Sequence, residues 1–460
     1  MCPASRNPRP SIIGISFDGL SISGIVNEFL NVAAVLRGDK FRVLCDLGFD
    51  ITIGRTSDHG HDSLPEWVEP IRCIGNLHPN GYTADIVDGA FAHVSAGKSI
   101  LDLPAYDELC GQLAGLIVDT FVRENVRFLV VENGTIPDNP LFTEALYRAI
   151  TEYGASQSLG KWVLWRDHDM MWSAEPHLYG SYPYSGVRKP QPGKHILYVV
   201  TTEWMRKRMM AWAPGVTFHT VSFRFPVPGP VRGERSLRSA YGIPERDLLI
   251  ARCTRVVPQK SIDRDLHLLH DIQLRLLEAN DPRKVFLFVT GPTRENAHEF
   301  KRLRALEQQL ELTGQVIWAD GLLPFNPAIT ARSVQSDRFS VRELLSEADL
   351  SSFLTTYDYE GFGLPPGEAM AAGVPFIATT YELYEEVYGS KGAVAPLLPI
   401  DRGSSPAQIP NFFVNLTLRV LTDAEYRAEI IKRNREVVHR FFSMDALARQ
   451  LSELLGPDWE

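Results

Sequence analysis

The chain has 460 residues, 44% hydrophobic and 22% charged, with 47 Lys and Arg against 56 Asp and Glu, a formal net charge of −9. That length exceeds one ordinary core and predicts two domains, and the acidic balance excludes a nucleic-acid backbone as the main partner, because such binding needs a dominating cationic surface. No apolar run reaches the roughly 18 residues needed to span a bilayer, the opening MCPASRNPRP lacks the apolar stretch of a secretory leader, and the five cysteines show neither C-x-x-C nor metal-finger spacing; a cytoplasmic protein with reduced thiols is expected.

In chain order, SIIGIS (11–16), FRVLCDLG (41–48), VRFLVVENG (126–134), KWVLWRDHD (161–169) and HILYVVTT (195–202) read as buried strands. YDELCGQLAGLIVDTFVREN and NPLFTEALYRAITEYGA carry apolar residues three and four apart, the spacing of a helix packed on a sheet. Strand and helix in alternation predict a parallel, doubly wound sheet. At FRFPVPGPVRG three prolines and two glycines can continue neither kind of element, and a domain boundary is placed there. The alternation restarts with LLIARC (248–253), a helix from about Ile262, KVFLFVTGP (284–292), a charged helix over 294–312, QVIW, DLSSFLT and VPFIATT; the final helical segment breaks at Ser443. The domains expected are 1–225 and 226–435, both Rossmann-like, followed by 436–460 as a C-terminal helix crossing back to the first. Ligands of open α/β sheets sit at the carboxyl ends of the strands, so two facing sheets imply a cleft between domains and direct attention to the strand ends.

One strand end carries YEGFGLPPGEAMAAGVP (359–375), in which Glu360 sits at a strand mouth and Glu368 in the first turns of a helix predicted over PGEAMAAG. Gly361 and Gly363 let a ligand approach the backbone, while the helix start offers unpaired N–H groups. Carboxylates accept hydrogen bonds from vicinal diols and the amides receive phosphate or hydroxyl oxygens, a pattern suited to a sugar nucleotide. The stretch resembles the E-x7-E signature of retaining GT-B glycosyltransferases, family 4 in particular: an acid, G-F-G, a second acid, A-M-A and G-x-P. The resemblance implies that Glu368 holds the nucleotide ribose, that Glu360 meets the donor sugar's hydroxyls, and that the turn Gly361, Phe362, Gly363, Leu364 lies against the donor.

Further motifs fit the same family. Arg255 and Lys260 in CTRVVPQKSID are spaced like its R-x4-K, whose cations grip the donor diphosphate; fixed cations stabilise the charge that builds on a leaving phosphate. His168, in WRDHDMMW, resembles the family's strand-end histidine that approaches an outer hydroxyl of the donor sugar, with Asp169 beside it as an acceptor contact. Gly24 stands where the family has a glycine-rich turn near donor phosphate or acceptor, although the usual double glycine is absent. Asn133, in VENGTIPDNPLF, falls in a segment similar to one found in members that act on small soluble acceptors; an Asn-Gly turn explains it equally well. Asp167-His168-Asp169 also spells D-x-D, the metal-binding signature of the GT-A architecture, but a second Rossmann-like half has no place there, so no metal and no cofactor are expected. EWMRKRMMAWAP (203–214) has an apolar face beside basic residues, as a membrane-surface helix would; packing on its own sheet is the reading adopted, and membrane association is not expected.

The resemblance therefore implies a GT-B fold and transfer of a hexose from a nucleoside diphosphate sugar, of the GDP-mannose or UDP-glucose type, to a hydroxyl of a small polar acceptor such as a sugar or a glycerate glycoside, with retained anomeric configuration. Alternatives on the same fold are a sugar-nucleotide epimerase or phosphorylase, or a sugar-nucleotide sensor without turnover.

Overall fold

In a computed structural model the described residues are 9–15, 24–46, 64–71, 77–137, 139–168, 183–227, 236–320, 322, 325–326, 338–403 and 409–456. The chain divides into two compact units, one formed by Met1–Phe223 with Leu447–Glu460, the other by Arg224–Ala446.

The first unit is built on a seven-stranded, all-parallel sheet. Its strands are β1 (Ser11–Ile15), β2 (Arg42–Asp46), β3 (Val68–Ile71), β4 (Val126–Glu132), β5 (Val163–Asp167), β6 (Ile196–Val200) and β7 (Phe218–Thr220), in the spatial order β3-β2-β1-β4-β5-β6-β7. The helices are α1 (Gly24–Leu36), α2 (Ala84–Ser95), α3 (Pro104–Arg123), α4 (Pro140–Ser156) and α5 (Glu203–Trp212). Central strands buried on both faces read as continuous apolar runs, which is why their sequence signal is strong. Their core gathers Ile13, Leu129, Val131, Trp162, Trp165, Phe121 and Tyr153, with Trp162 edge-on to Phe121 at 5.5 Å between ring centroids. α5 buries Met205 and Met209 and packs Trp204 and Trp212 against this core. Its apolar face is therefore used internally, and no helix among the described residues is long and apolar enough to cross a membrane.

The second unit has six parallel strands: β8 (Leu248–Arg252), β9 (Val285–Val289), β10 (Val316–Trp318), β11 (Leu350–Phe353), β12 (Phe376–Thr379) and β13 (Leu397–Leu398), ordered β10-β9-β8-β11-β12-β13. This is the 3-2-1-4-5-6 order of a dinucleotide-binding sheet. The associated helices are α6 (Ile262–Glu278), α7 (Ala297–Gln309), α8 (Val341–Glu347), α9 (Leu364–Ala372), α10 (Asn411–Thr422) and α11 (Ala424–Val437). A wide-pitch turn over Val438–Phe442 ends at Ser443, whose hydroxyl accepts the Ala446 N–H as the last helix, α12 (Met444–Leu455), begins.

Both sheets reverse their strand order beside their first strand, between β1 and β4 and between β8 and β11. At such a switch point adjacent connections run to opposite faces and leave a crevice at the carboxyl ends. The sequence-predicted site residues follow β1, β4 and β5 in the first unit and β8 and β11 in the second.

The strands β3, β7 and β13 are not distinguished by sequence pattern. They are two to four residues long and lie at or next to sheet edges, where one-sided burial weakens the apolar run.

Candidate active site

In the second unit, β8 and β11 are neighbours in register, Leu350 opposite Ile250 and Ser351 opposite Ala251, so the loops that follow them emerge side by side. The first carries Arg255 and Lys260, the second Glu360. Their backbones are tied together: Gln259 O accepts from Thr355 Oγ1 at 3.2 Å, from Thr356 Oγ1 at 2.9 Å and from Thr356 N at 3.2 Å. Beneath them Arg252, fully buried, ion-pairs with Asp265 at 3.0 Å and donates to Ser352 O at 3.1 Å and to Lys260 O. A buried guanidinium that satisfies one backbone carbonyl in β11 and one in the loop after β8 fixes that loop against the neighbouring strand.

On this base Lys260 Nζ meets Glu360 Oε1 in an ion pair, and Thr355 Oγ1, whose single proton is shared between this oxygen and Gln259 O, lies 3.1 Å from it. The Lys260 ammonium also lies over the Tyr359 ring, 4.8 Å from its centroid. The structure thus brings two of the predicted residues, 100 positions apart, into contact. Arg255 does not join them. Its Nε donates to Glu295 Oε1 at 2.7 Å, and its side chain is 56% exposed. The approach is made possible by Gly291 after β9, where a Cβ would stand 2.2 Å from Thr254 O and 2.7 Å from Arg255 Cα.

The glycine turn between Glu360 and α9 is braced from within. Tyr381 Oη donates to Phe362 O at 2.6 Å and Tyr388 Oη to Gly363 O at 2.6 Å. Gly363 has φ +83°, and a Cβ there would come within 2.5 Å of the Tyr381 hydroxyl, so only glycine fits. Phe362 is buried against Phe225, Tyr388 and Phe442, and its ring is core. α9 starts at Leu364, two residues earlier than the sequence predicts, so Pro365 and Pro366 occupy its first turn. Proline is tolerated there because those amides have no partner within the helix, but it removes two of the N–H donors expected at this terminus. Glu368 follows one turn on. Burial raises its carboxyl to a pKa of about 8, and its charge adds to the rise of the Cys253 thiol, which burial dominates.

The first unit holds a different kind of cluster. Glu132 ends β4; Arg166 and Asp167 end β5, with His168 immediately after. Arg166 donates to Glu132 Oε1 at 2.7 Å and to Glu28 Oε2, from α1, at 3.0 Å. Burial works against the Arg166 charge, and the two carboxylates more than offset it, raising its pKa. His168 Nε2 pairs with Glu132 Oε2, and its ring stacks on Phe223 at 4.9 Å. Asn133, at φ +54°, accepts the His168 N–H on Oδ1 at 2.7 Å, so this buried side chain shapes the histidine's backbone. Asp167 Oδ1 accepts from Thr135 Oγ1 at 2.6 Å, and burial raises its pKa to about 6. Asp169 lies outside the described residues. Gly24 opens α1, and residues 16–23, the rest of that turn, also lie outside them.

Sequence reading missed Glu295, Gly291, Tyr381, Tyr388, Glu28, Glu132 and Arg166. Only Glu132 and Arg166 had an available signal, a charged residue closing an otherwise apolar strand at a sheet's ligand end.

Residues 234–437 match the family model described as Glycosyl transferases group 1. The fold is similar to that of a sucrose-phosphate synthase from Thermosynechococcus elongatus, 15% identical, covering 97% of this chain and 98% of that one at a TM-score of 0.59. It is also similar to Anabaena HepE in complex with UDP-glucose, 14% identical, covering 97% and 99% at a TM-score of 0.58, and to a glycosyltransferase from Rickettsia africae, 13% identical, covering 98% and 100% at 0.57. At these identities the likeness concerns the fold. No curated protein sequence matches the chain. With a Glycosyl transferases group 1 domain across most of its second unit and two parallel-sheet units of the GT-B fold, the chain is a glycosyltransferase enzyme.

Proposed function

We propose that the enzyme is a retaining, metal-independent hexosyltransferase of the family 4 type, moving a hexose from a nucleoside diphosphate sugar to a hydroxyl of a small polar acceptor such as a sugar or a glycerate glycoside. The observation that carries this reading is the meeting of Lys260 and Glu360 at the adjacent mouths of β8 and β11: a cation suited to a diphosphate and a carboxylate suited to sugar hydroxyls, on two loops tied to each other through Gln259 O, with Arg252 bracing the first against β11. In the proposed roles Lys260 and Arg255 neutralise the departing diphosphate, Glu360 binds donor-sugar hydroxyls, Glu368 accepts from the ribose diol, and backbone from Gly361 to Leu364 lines the donor. His168 hydrogen-bonds a hydroxyl of the donor sugar, and Gly24, Asn133 and Asp169 border the acceptor or the phosphates. Retention follows family precedent: attack on the face the leaving group departs from, with the leaving phosphate taking the acceptor's proton, so that no side chain serves as covalent nucleophile.

The Anabaena neighbour was solved with UDP-glucose, which supports a nucleotide-sugar donor here and makes UDP-glucose the first candidate beside GDP-mannose. The test is a thermal-shift panel over UDP-, GDP- and ADP-sugars, followed by product analysis with mixed acceptors and with chelator present. One donor should stabilise the protein and yield a glycoside with the donor's anomeric configuration. An inverted product, activity abolished by chelator and restored by manganese, or dependence on orthophosphate without net transfer would each overturn a named part of the reading.

A further inference from the structure

His168 presents an unusual account of its two ring nitrogens. Nε2 is engaged by Glu132, whereas Nδ1 is buried with no hydrogen-bond partner among the described residues. A buried, unpaired nitrogen costs about 1–3 kcal/mol, a cost that a hydrogen bond from a bound substrate would relieve. The ring is also held against rotation: Phe223 stacks on one face, and Asn133 grips the backbone amide.

Glu132 has both oxygens committed. Oε1 accepts from Arg166 and Oε2 faces His168 Nε2. A carboxylate only accepts, so the proton between Glu132 and His168 sits on the imidazole nitrogen. Arg166 is itself secured from the far side by Glu28, to which Asn31 donates at 3.1 Å. The relay Glu28, Arg166, Glu132, His168 joins α1, β5 and β4, with each member buried.

We infer that Glu132 is a positioning residue: locked by Arg166, it keeps the His168 proton on Nε2 and leaves the Nδ1 lone pair to accept from a substrate hydroxyl. This rests on the proposed role of His168 as a substrate contact. Arg166 makes the inference sharp, because a guanidinium can only donate. In Glu132→Gln the carboxamide oxygen must turn to Arg166, its NH2 group must then face His168 Nε2, and that nitrogen must become the acceptor. The proton moves to Nδ1, and the nitrogen offered to the hydroxyl changes from acceptor to donor. The same logic accounts for the large loss when the orienting carboxylate of a serine-protease triad becomes an amide.

The experiment is nitrogen-15 NMR of the imidazole rings at pH 8.5 in the full chain, with His168 assigned by its loss in His168→Ala. In the unmodified protein His168 should be protonated at Nε2 and bare at Nδ1; a proton on Nδ1 overturns the inference without recourse to any variant. In Glu132→Gln the proton should move to Nδ1. Turnover, followed as UDP or GDP released from UDP-glucose and GDP-mannose, should fall about tenfold in kcat with donor KM changing much less, as expected for one misdirected hydrogen bond. If His168→Ala leaves turnover unchanged, the substrate-contact reading fails, while the proton's location still judges Glu132. If His168→Ala slows turnover but the tautomer switch in Glu132→Gln changes nothing, the positioning inference fails and the substrate-contact reading stands.

Discussion

The strand-end clusters of the two units use the same residue types to opposite ends. In the first unit Glu28, Glu132, Arg166 and His168 are buried and tied into one relay. In the second, Arg255 and Glu295 stand 56% and 29% exposed, whereas Lys260 and Glu360 keep only 13% and 10% of their side chains exposed. Taking charges out of water is expensive, so a buried relay stays intact and transmits geometry. The exposed Arg255–Glu295 pair is weakly bound and exchanges partners readily, as the proposed binding of a diphosphate by Arg255 requires. In the proposed reading the first cluster orients, and in the second the Arg255–Glu295 pair is the one free to trade its partner.

This contrast yields measurable expectations. Glu28→Ala would leave Arg166 with one carboxylate in place of two, and breaking a buried pair costs about 3–5 kcal/mol. The denaturation transition of the first unit should shift by that amount while that of the second is unchanged; a neutral result would show that the relay is not the rigid element described. Lys260→Ala should lower kcat by about 10²- to 10³-fold, the scale of a transition-state charge contact, in addition to any loss of stability from leaving the mostly buried Glu360 without its cation, checked by steady-state kinetics beside thermal melting. If stability falls and kcat does not, Lys260 belongs with the structural pairs.

Glu368 permits a test by pH. Its carboxyl is held protonated by burial up to about pH 8, whereas a carboxylate that accepts from both ribose hydroxyls must be ionised. Nucleotide binding should therefore release close to one proton at pH 7, and affinity should rise by up to about tenfold per pH unit toward pH 8 and then level off. Calorimetry in two buffers of different ionisation enthalpy measures the proton directly; none released removes Glu368 from the ribose. The smallest effect is expected from Glu295→Gln. Removing a carboxylate that competes for Arg255 should tighten nucleotide binding about threefold, in line with the modest worth of exposed pairs, and weaker binding would make Glu295 a helper that orients Arg255.

Much of this molecule was readable before folding. Runs such as VRFLVVE and VFLFV announce central parallel strands because burial on both faces demands continuous apolar sequence. The separation of motifs into an acidic pair after one strand and a cationic pair after another is likewise written locally. The relay was not readable: Glu28 and Arg166 are 138 positions apart, and Arg255 finds Glu295 across 40. Nor was the start of α9, where PGEAMAAG suggested a helix beginning at Pro366 and the turn braced by Tyr381 and Tyr388 brings it forward to Leu364.

What the amino-acid sequence determined by itself is the alternation of strand and helix, the break at FRFPVPGPVRG and the residue types waiting at each strand end. Periodicity and local turn chemistry act over a few residues and need no partner from elsewhere. Tertiary structure alone decided which charges meet: Lys260 with Glu360, Arg255 with Glu295, and Arg166 between Glu28 and Glu132. Ion pairing depends on distance and on exclusion of water, and both come into being only when parallel strands remote in the chain are laid side by side.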